Sequence, residues 1–167
     1  MDSNKAIDIL KAAILLERRG QAFYAQVAKQ TQSKAVKEIF EMMAAEEEDH
    51  ARFLSDQFTQ YEKTQTFVKP DFKQPIDDTN AALILSDEIK KEISAAGFEA
   101  AAISAAIDLE NRSIELYTQR AKEADDPHEK ELYQMLADWE KTHHQLLHKM
   151  NEDLKEKIWY DNSFWPF

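Results

Sequence analysis

A chain of 167 residues is long enough for one domain with its own core, and two domains would each lie near the practical minimum, so residues 1–167 read as a single domain. Only two glycines and four prolines stand among abundant Ala, Glu, Lys, Leu and Gln, a balance that favours long helices over turn-rich sheet and predicts an all-α fold. The net charge of -11, with no cluster of Lys and Arg, argues against nucleic acid and anionic membranes as partners, and the absence of cysteine excludes disulfides, thiolate nucleophiles and cysteine-held iron centres.

The opening Met1-Asp2-Ser3-Asn4-Lys5 has no basic stretch followed by an apolar one. No apolar run approaches the ~20 residues of a membrane span, so a soluble, cytoplasmic protein is expected. Helical periodicity then marks four long segments, roughly 4–30, 33–61, 97–124 and 127–157. The first carries Ile7, Leu10, Ile14, Glu17, Tyr24 and Ala28 on one face. Thr31-Gln32-Ser33 offers N-caps for the second, whose stripe runs Val36, Phe40, Met43, Glu47, His50, Leu54, Gln57 or Phe58, and Tyr61. Residues 62–96 form a crossover that holds Pro70 and Pro75 and, from Asn80 to Ile93, a short extra helix.

The third helix aligns Ile103, Ile107, Glu110, Ile114, Tyr117 and Ala121. Asp125-Asp126-Pro127 caps the fourth, whose stripe is Tyr133, Leu136, Glu140, His143, Leu147, Met150 and Leu154. The aromatic tail 159–167 is expected to dock on the bundle or on a partner, and Trp139, off the ligand stripe, to pack against the crossover or another subunit. His128 and His148 are expected at the surface, and His144 at the surface or beside the ligands. Short turns make each pair of helices an antiparallel hairpin, and two hairpins joined by one long crossover give the connectivity of a ferritin-like four-helix bundle.

An internal repeat supports this arrangement. A shift of 93 positions lays Leu16–Lys29 over Leu109–Lys122 and continues without a gap, placing Glu47 on Glu140, His50 on His143 and Leu54 on Leu147. Glu17 and Glu47 each lie 15 residues from Gln32, and Glu110 and Glu140 each lie 15 from Asp125. At about 1.5 Å of rise per residue, both pairs sit roughly 22 Å from their turns, in one layer near the middle of the bundle.

A lone Glu-x-x-His in a charged helical protein is usually a solvated face with a chance histidine. Here two such motifs sit inside apolar stripes, each follows a stripe glutamate by 30 residues, and one shift relates them. Four buried carboxylates repel one another and must be neutralised. Two divalent cations supply four positive charges, and imidazole completes a nitrogen and oxygen set suited to iron or manganese.

The quoted stripes resemble the rubrerythrin branch of the ferritin-like superfamily. The resemblance rests on Leu16-Glu17-x-x-Gly20-x-x-Phe23-Tyr24, Ala45-Glu46-Glu47-Glu48-Asp49-His50-Ala51-x-Phe53-Leu54, Leu109-Glu110 with Tyr117, and Glu140-x-x-His143. It implies a di-iron centre with Glu17 and Glu110 as terminal ligands, Glu47 and Glu140 as bridges, and His50 and His143 one on each metal. Tyr24 and Tyr117 would be hydrogen-bond partners of the ligands, or core aromatics with satisfied hydroxyls. Manganese or zinc is an alternative occupant in purified protein.

Two features depart from the family pattern. Rubrerythrins carry a cysteine-bound rubredoxin-like iron domain, which this chain lacks, so electrons would come from an external rubredoxin-type donor. They also carry a further glutamate three residues after the third-helix ligand, where this chain has Ser113. The implied function is an oxidoreductase reacting with dioxygen or hydrogen peroxide, of peroxidase or ferroxidase type, with a role in oxidative stress. The alternatives are a non-catalytic iron-handling protein and a di-iron oxygenase of an organic substrate, and a homodimer is expected.

Overall fold

The computed structural model describes the backbone of residues 3–70 and 97–160 and the side chains of 5–70 and 97–156. Four helices make up the bundle: α1 (Ser3–Gln30), α2 (Lys34–Thr64), α3 (Phe98–Glu123) and α4 (Pro127–Tyr160). The expected extra helix at 80–93 lies outside the described residues, as does the docking of the aromatic tail, although α4 continues through Trp159 and Tyr160.

The hairpin turns are held by the anticipated caps. Ser33 adopts an extended conformation and its hydroxyl accepts from Val36 N at 3.2 Å, satisfying a free amide at the start of α2. Thr31 Oγ1 accepts from Ser33 N at 3.1 Å and donates to Glu99 at 2.9 Å, tying this turn to the start of α3. In the second hairpin Asp126 Oδ1 accepts from His128 N at 2.8 Å and Glu129 N at 3.2 Å, with Pro127 at the first helical position, where no amide is needed.

α2 outruns its expected end by three residues and stops where Gln65 takes a left-handed conformation, φ 57°, with its N–H bonded to Tyr61 O at 2.8 Å. The chain then doubles back so that Phe67 packs on Tyr61, ring centroids 4.6 Å apart. The Gln57 amide bonds both backbone groups of Val68, which fixes the start of the crossover.

Two apolar clusters fill the interior. One joins Tyr24, Val27, Val36, Phe40 and Met43 to Ile103, Leu147, Met150 and Leu154. The other joins Leu10, Leu54, Tyr61 and Phe67 to Tyr117, Leu132, Tyr133 and Leu136. The first contains the end of α1 and the start of α2 with the start of α3 and the end of α4. α2 therefore finishes at the opposite end of the bundle from the start of α3. Between the two clusters lies the layer that holds the glutamates.

Candidate metal centre

Each helix contributes to that layer: Glu17 from α1, Glu47 and His50 from α2, Glu110 from α3, and Glu140 and His143 from α4. The three-residue spacing of Glu47 with His50, and of Glu140 with His143, puts both members on one helix face. All six residues are at most 5 % exposed. His50 Nδ1 lies 3.2 Å from Glu17, 3.7 Å from Glu47 and 3.3 Å from Glu140. His143 Nδ1 lies 3.5 Å from Glu47, 3.5 Å from Glu110 and 3.6 Å from Glu140.

These residues fall into two groups, Glu17 with Glu47, His50 and Glu140, and Glu47 with Glu110, Glu140 and His143. Within each group the candidate ligand atoms lie within 4.8 Å of one another. Cation–donor bonds of about 2.1 Å need donors about 3–4 Å apart, so each group can close on one ion with Glu47 and Glu140 shared. Both oxygens of Glu140, Glu110 Oε2 and His143 Nδ1 are buried without a hydrogen-bond partner. Buried polar atoms left unpaired are costly, and their convergence on one layer fits a metal.

The two tyrosines cross between hairpins. Tyr24 on α1 donates to Glu110 on α3, and Tyr117 on α3 donates to Glu17 on α1. Burial first, and then the facing Glu110 or Glu17, pushes each phenol well above its usual value, so both remain donors.

Electrostatics divide the six groups. Burial pushes the Glu17 carboxyl well up, aided by Glu140, and pushes that of Glu110 up to about 8. Burial also acts against charge on Glu140, but His143 and His50 outweigh it and hold that carboxyl low; Glu47 is likewise lowered against burial by Glu17, His143 and His50. Both imidazoles, despite burial, are raised well above their usual value by the surrounding carboxylates. Without metal, the cluster thus balances two imidazolium charges against two carboxylates.

This sets a pH dependence for the metal-free protein. Glu110, raised from 4.5 to about 8, contributes stability that is complete below about pH 4.5 and lost as pH rises through 8. Glu17, His50 and His143 are raised as well and act in the same sense, while Glu47 and Glu140 contribute above the usual carboxylate range and lose their share only in acid. Thermal melts of metal-free protein should therefore fall between pH 6 and pH 9 by at least about 1 kcal/mol, or roughly 2–4 °C. A melting temperature that rises over this interval would contradict the protonation pattern.

The Rubrerythrin family model matches residues 8–151. The chain belongs to the rubrerythrin family. No curated protein and no solved structure is similar enough to match. Family and cluster together support a carboxylate and histidine metal site in an all-α ferritin-like bundle. Among the described residues no helix is long and apolar enough to cross a membrane.

In this rubrerythrin-family chain Ser113 is buried three residues after Glu110, and its hydroxyl donates to Leu109 O at 3.4 Å. The repeat places Gly20 at the same point of the first hairpin. A Cβ on Gly20 would lie 3.3 Å from Glu47 Cδ and 3.4 Å from Leu109 Cδ2, so the bare backbone leaves room for a shared carboxylate. Gly20→Ala should raise the stability of the metal-free helix by up to about 1 kcal/mol while weakening metal binding severalfold. Thermal melts and a metal titration of the same protein check both parts.

Three residues of the layer were not anticipated from the sequence in this role. Glu46 Oε2 lies 2.6 Å from His143 Nε2. Trp139, expected away from the ligand stripe, stacks on His50 with ring centroids 4.8 Å apart and an interplanar angle of 9°. Gly20 owes its part to proximity across the hairpin. Of the remaining histidines, His148 is exposed, His128 and His144 are half-buried, and His144 stacks on His148.

Proposed function

We propose that this chain is a di-iron carboxylate oxidoreductase that reacts with dioxygen or hydrogen peroxide, of peroxidase or ferroxidase type. The observation that carries the reading is the pair of interlocked groups sharing Glu47 and Glu140, with unpaired buried oxygens between them. Glu17 and His50 would complete one position, Glu110 and His143 the other. Two divalent cations carry the charge of the four protons that Glu17, Glu110, His50 and His143 hold in the metal-free state, so the exchange leaves the buried charge unchanged. Mixed carboxylate and imidazole donors suit iron, with manganese or zinc as competitors.

Bound iron would supply the electrons that reduce the oxidant. The protein's own part is to position and to exclude. Tyr24 and Tyr117 each hold a terminal carboxylate from the opposite hairpin, which fixes its orientation. Apolar clusters on both sides of the layer keep bulk water from the ligands. No cysteine in the chain can hold a second iron centre, so a separate rubredoxin-type donor would return the electrons. The reading takes the protein to act in the cytoplasm, as a homodimer, without nucleic-acid or membrane partners.

The burial of all six residues also favours a second reading, in which the site stores or delivers iron without turnover. Elemental analysis of protein from its native host, followed by stopped-flow absorbance of the ferrous form with each oxidant, separates the two. About two metal ions per chain and oxidation faster than that of free ferrous iron support the oxidoreductase. Bound metal without oxidant consumption supports iron handling.

A further inference from the structure

The repeat makes the ligand sets of the two positions equivalent, but not what stands behind them. Position 46 and position 139 correspond under the 93-residue shift, and each side chain reaches the histidine of the opposite hairpin. At one, Glu46 meets His143 Nε2 at 2.6 Å while Nδ1 of the same ring faces Glu47, Glu110 and Glu140. At the other, the indole of Trp139 lies flat on His50, whose Nδ1 faces Glu17, Glu47 and Glu140.

A carboxylate accepting from one imidazole nitrogen fixes the tautomer and makes the other nitrogen a stronger donor to a metal. A stacked indole holds the ring by its face and supplies no in-plane acceptor. We infer that Glu46 and Trp139 make the two metal positions inequivalent, Glu46 being a positioning residue that gives the Glu110 and His143 position the tighter hold on a divalent cation. The inference rests on the metal-site reading above. Its consequence is a centre that, at limiting metal, fills the Glu110 and His143 position first and exchanges its ion more readily at the Glu17 and His50 position.

Cobalt(II) is a suitable probe, because its binding to metal-free protein is followed by absorbance without oxygen chemistry. His50→Ala leaves only the position backed by Glu46, and His143→Ala leaves only the position beside Trp139. Adding Glu46→Gln should weaken cobalt binding about 10- to 100-fold in the His50→Ala background and less than about threefold in the His143→Ala background. A loss of stability from Glu46→Gln would act on both backgrounds alike.

Equal losses in the two backgrounds, or none in either, would overturn the inference while leaving the metal site standing. Failure of wild-type protein to bind cobalt would overturn the metal-site reading and the inference with it. Should a histidine variant not fold, the wild-type protein loaded with cobalt gives a second measurement through its exchangeable, hyperfine-shifted imidazole N–H resonances. Glu46→Gln should move the His143 resonance and leave that of His50 in place. Movement of both, or of neither, would count against the inference.

Discussion

Replacing Glu47 and Glu140 together by alanine should reduce bound metal from about two ions per chain to well under one, and should bring ferrous oxidation down to the rate of free iron. Each glutamate belongs to both four-residue groups, so the double substitution leaves each position with one carboxylate and one imidazole. That is too few donors for a divalent ion in competition with water. The loss would not reflect unfolding. Glu47 and Glu140 are the two carboxyls held in their charged form in the metal-free layer, and once both are gone His50 and His143 can release their extra protons and stay neutral, so no unpaired charge is left buried and the cost is confined to the small cavities left behind. Helix content by circular dichroism should be unchanged, while elemental analysis reads the loss of metal. Wild-type protein with less than one metal per chain, and no change on substitution, would remove the basis of the site.

The stripes of α2 and α4 were legible because their large side chains recur at three- and four-residue spacing. Val36, Phe40, Met43, Leu54 and Tyr61 are buried, as are Tyr133, Leu136, Leu147, Met150 and Leu154. On α1 and α3 the same reasoning chose Ile7, Ile14, Ile107 and Ile114, which are only half-buried, while Ala6, Ala13, Ala106 and Ser113 are hidden. Hydropathy ranks side chains but does not report the distance between helix axes, and a small residue disappears where helices leave little space.

The six clustered residues stood out because glutamate and histidine are costly within an apolar stripe. Their surroundings were less legible, since they depend on contacts between hairpins. Each tyrosine lies seven residues after the glutamate of its own helix, yet bonds to the glutamate of the other hairpin. Glu46 and Trp139 lie off the stripes, and their correspondence under the repeat was the one sequence signal that linked them.

Arg120→Ala should destabilise the protein by about 3–5 kcal/mol, lowering the melting temperature by roughly 6–20 °C, although the residue has no place in the metal layer. Its guanidinium donates from Nη2 to Glu129 Oε1 at 2.6 Å and from Nε to the same oxygen at 3.0 Å, with both residues buried beside the second turn. Removing the cation leaves a buried carboxylate without its partner. The repeat shows what else can fill this place, because Arg120 corresponds to Val27 and Glu129 to Val36, and both valines lie in the apolar cluster at the first turn. Arg120→Val with Glu129→Val should therefore recover most of the loss, and can exceed wild-type stability by about 1–4 kcal/mol, since well-packed apolar side chains commonly replace a buried ion pair at no cost. Thermal melts of the single and double variants measure the difference between them. A double variant as unstable as Arg120→Ala would show that the pair does more at this turn than compensate its own burial, and metal content, unchanged in every case, would separate that role from the metal site.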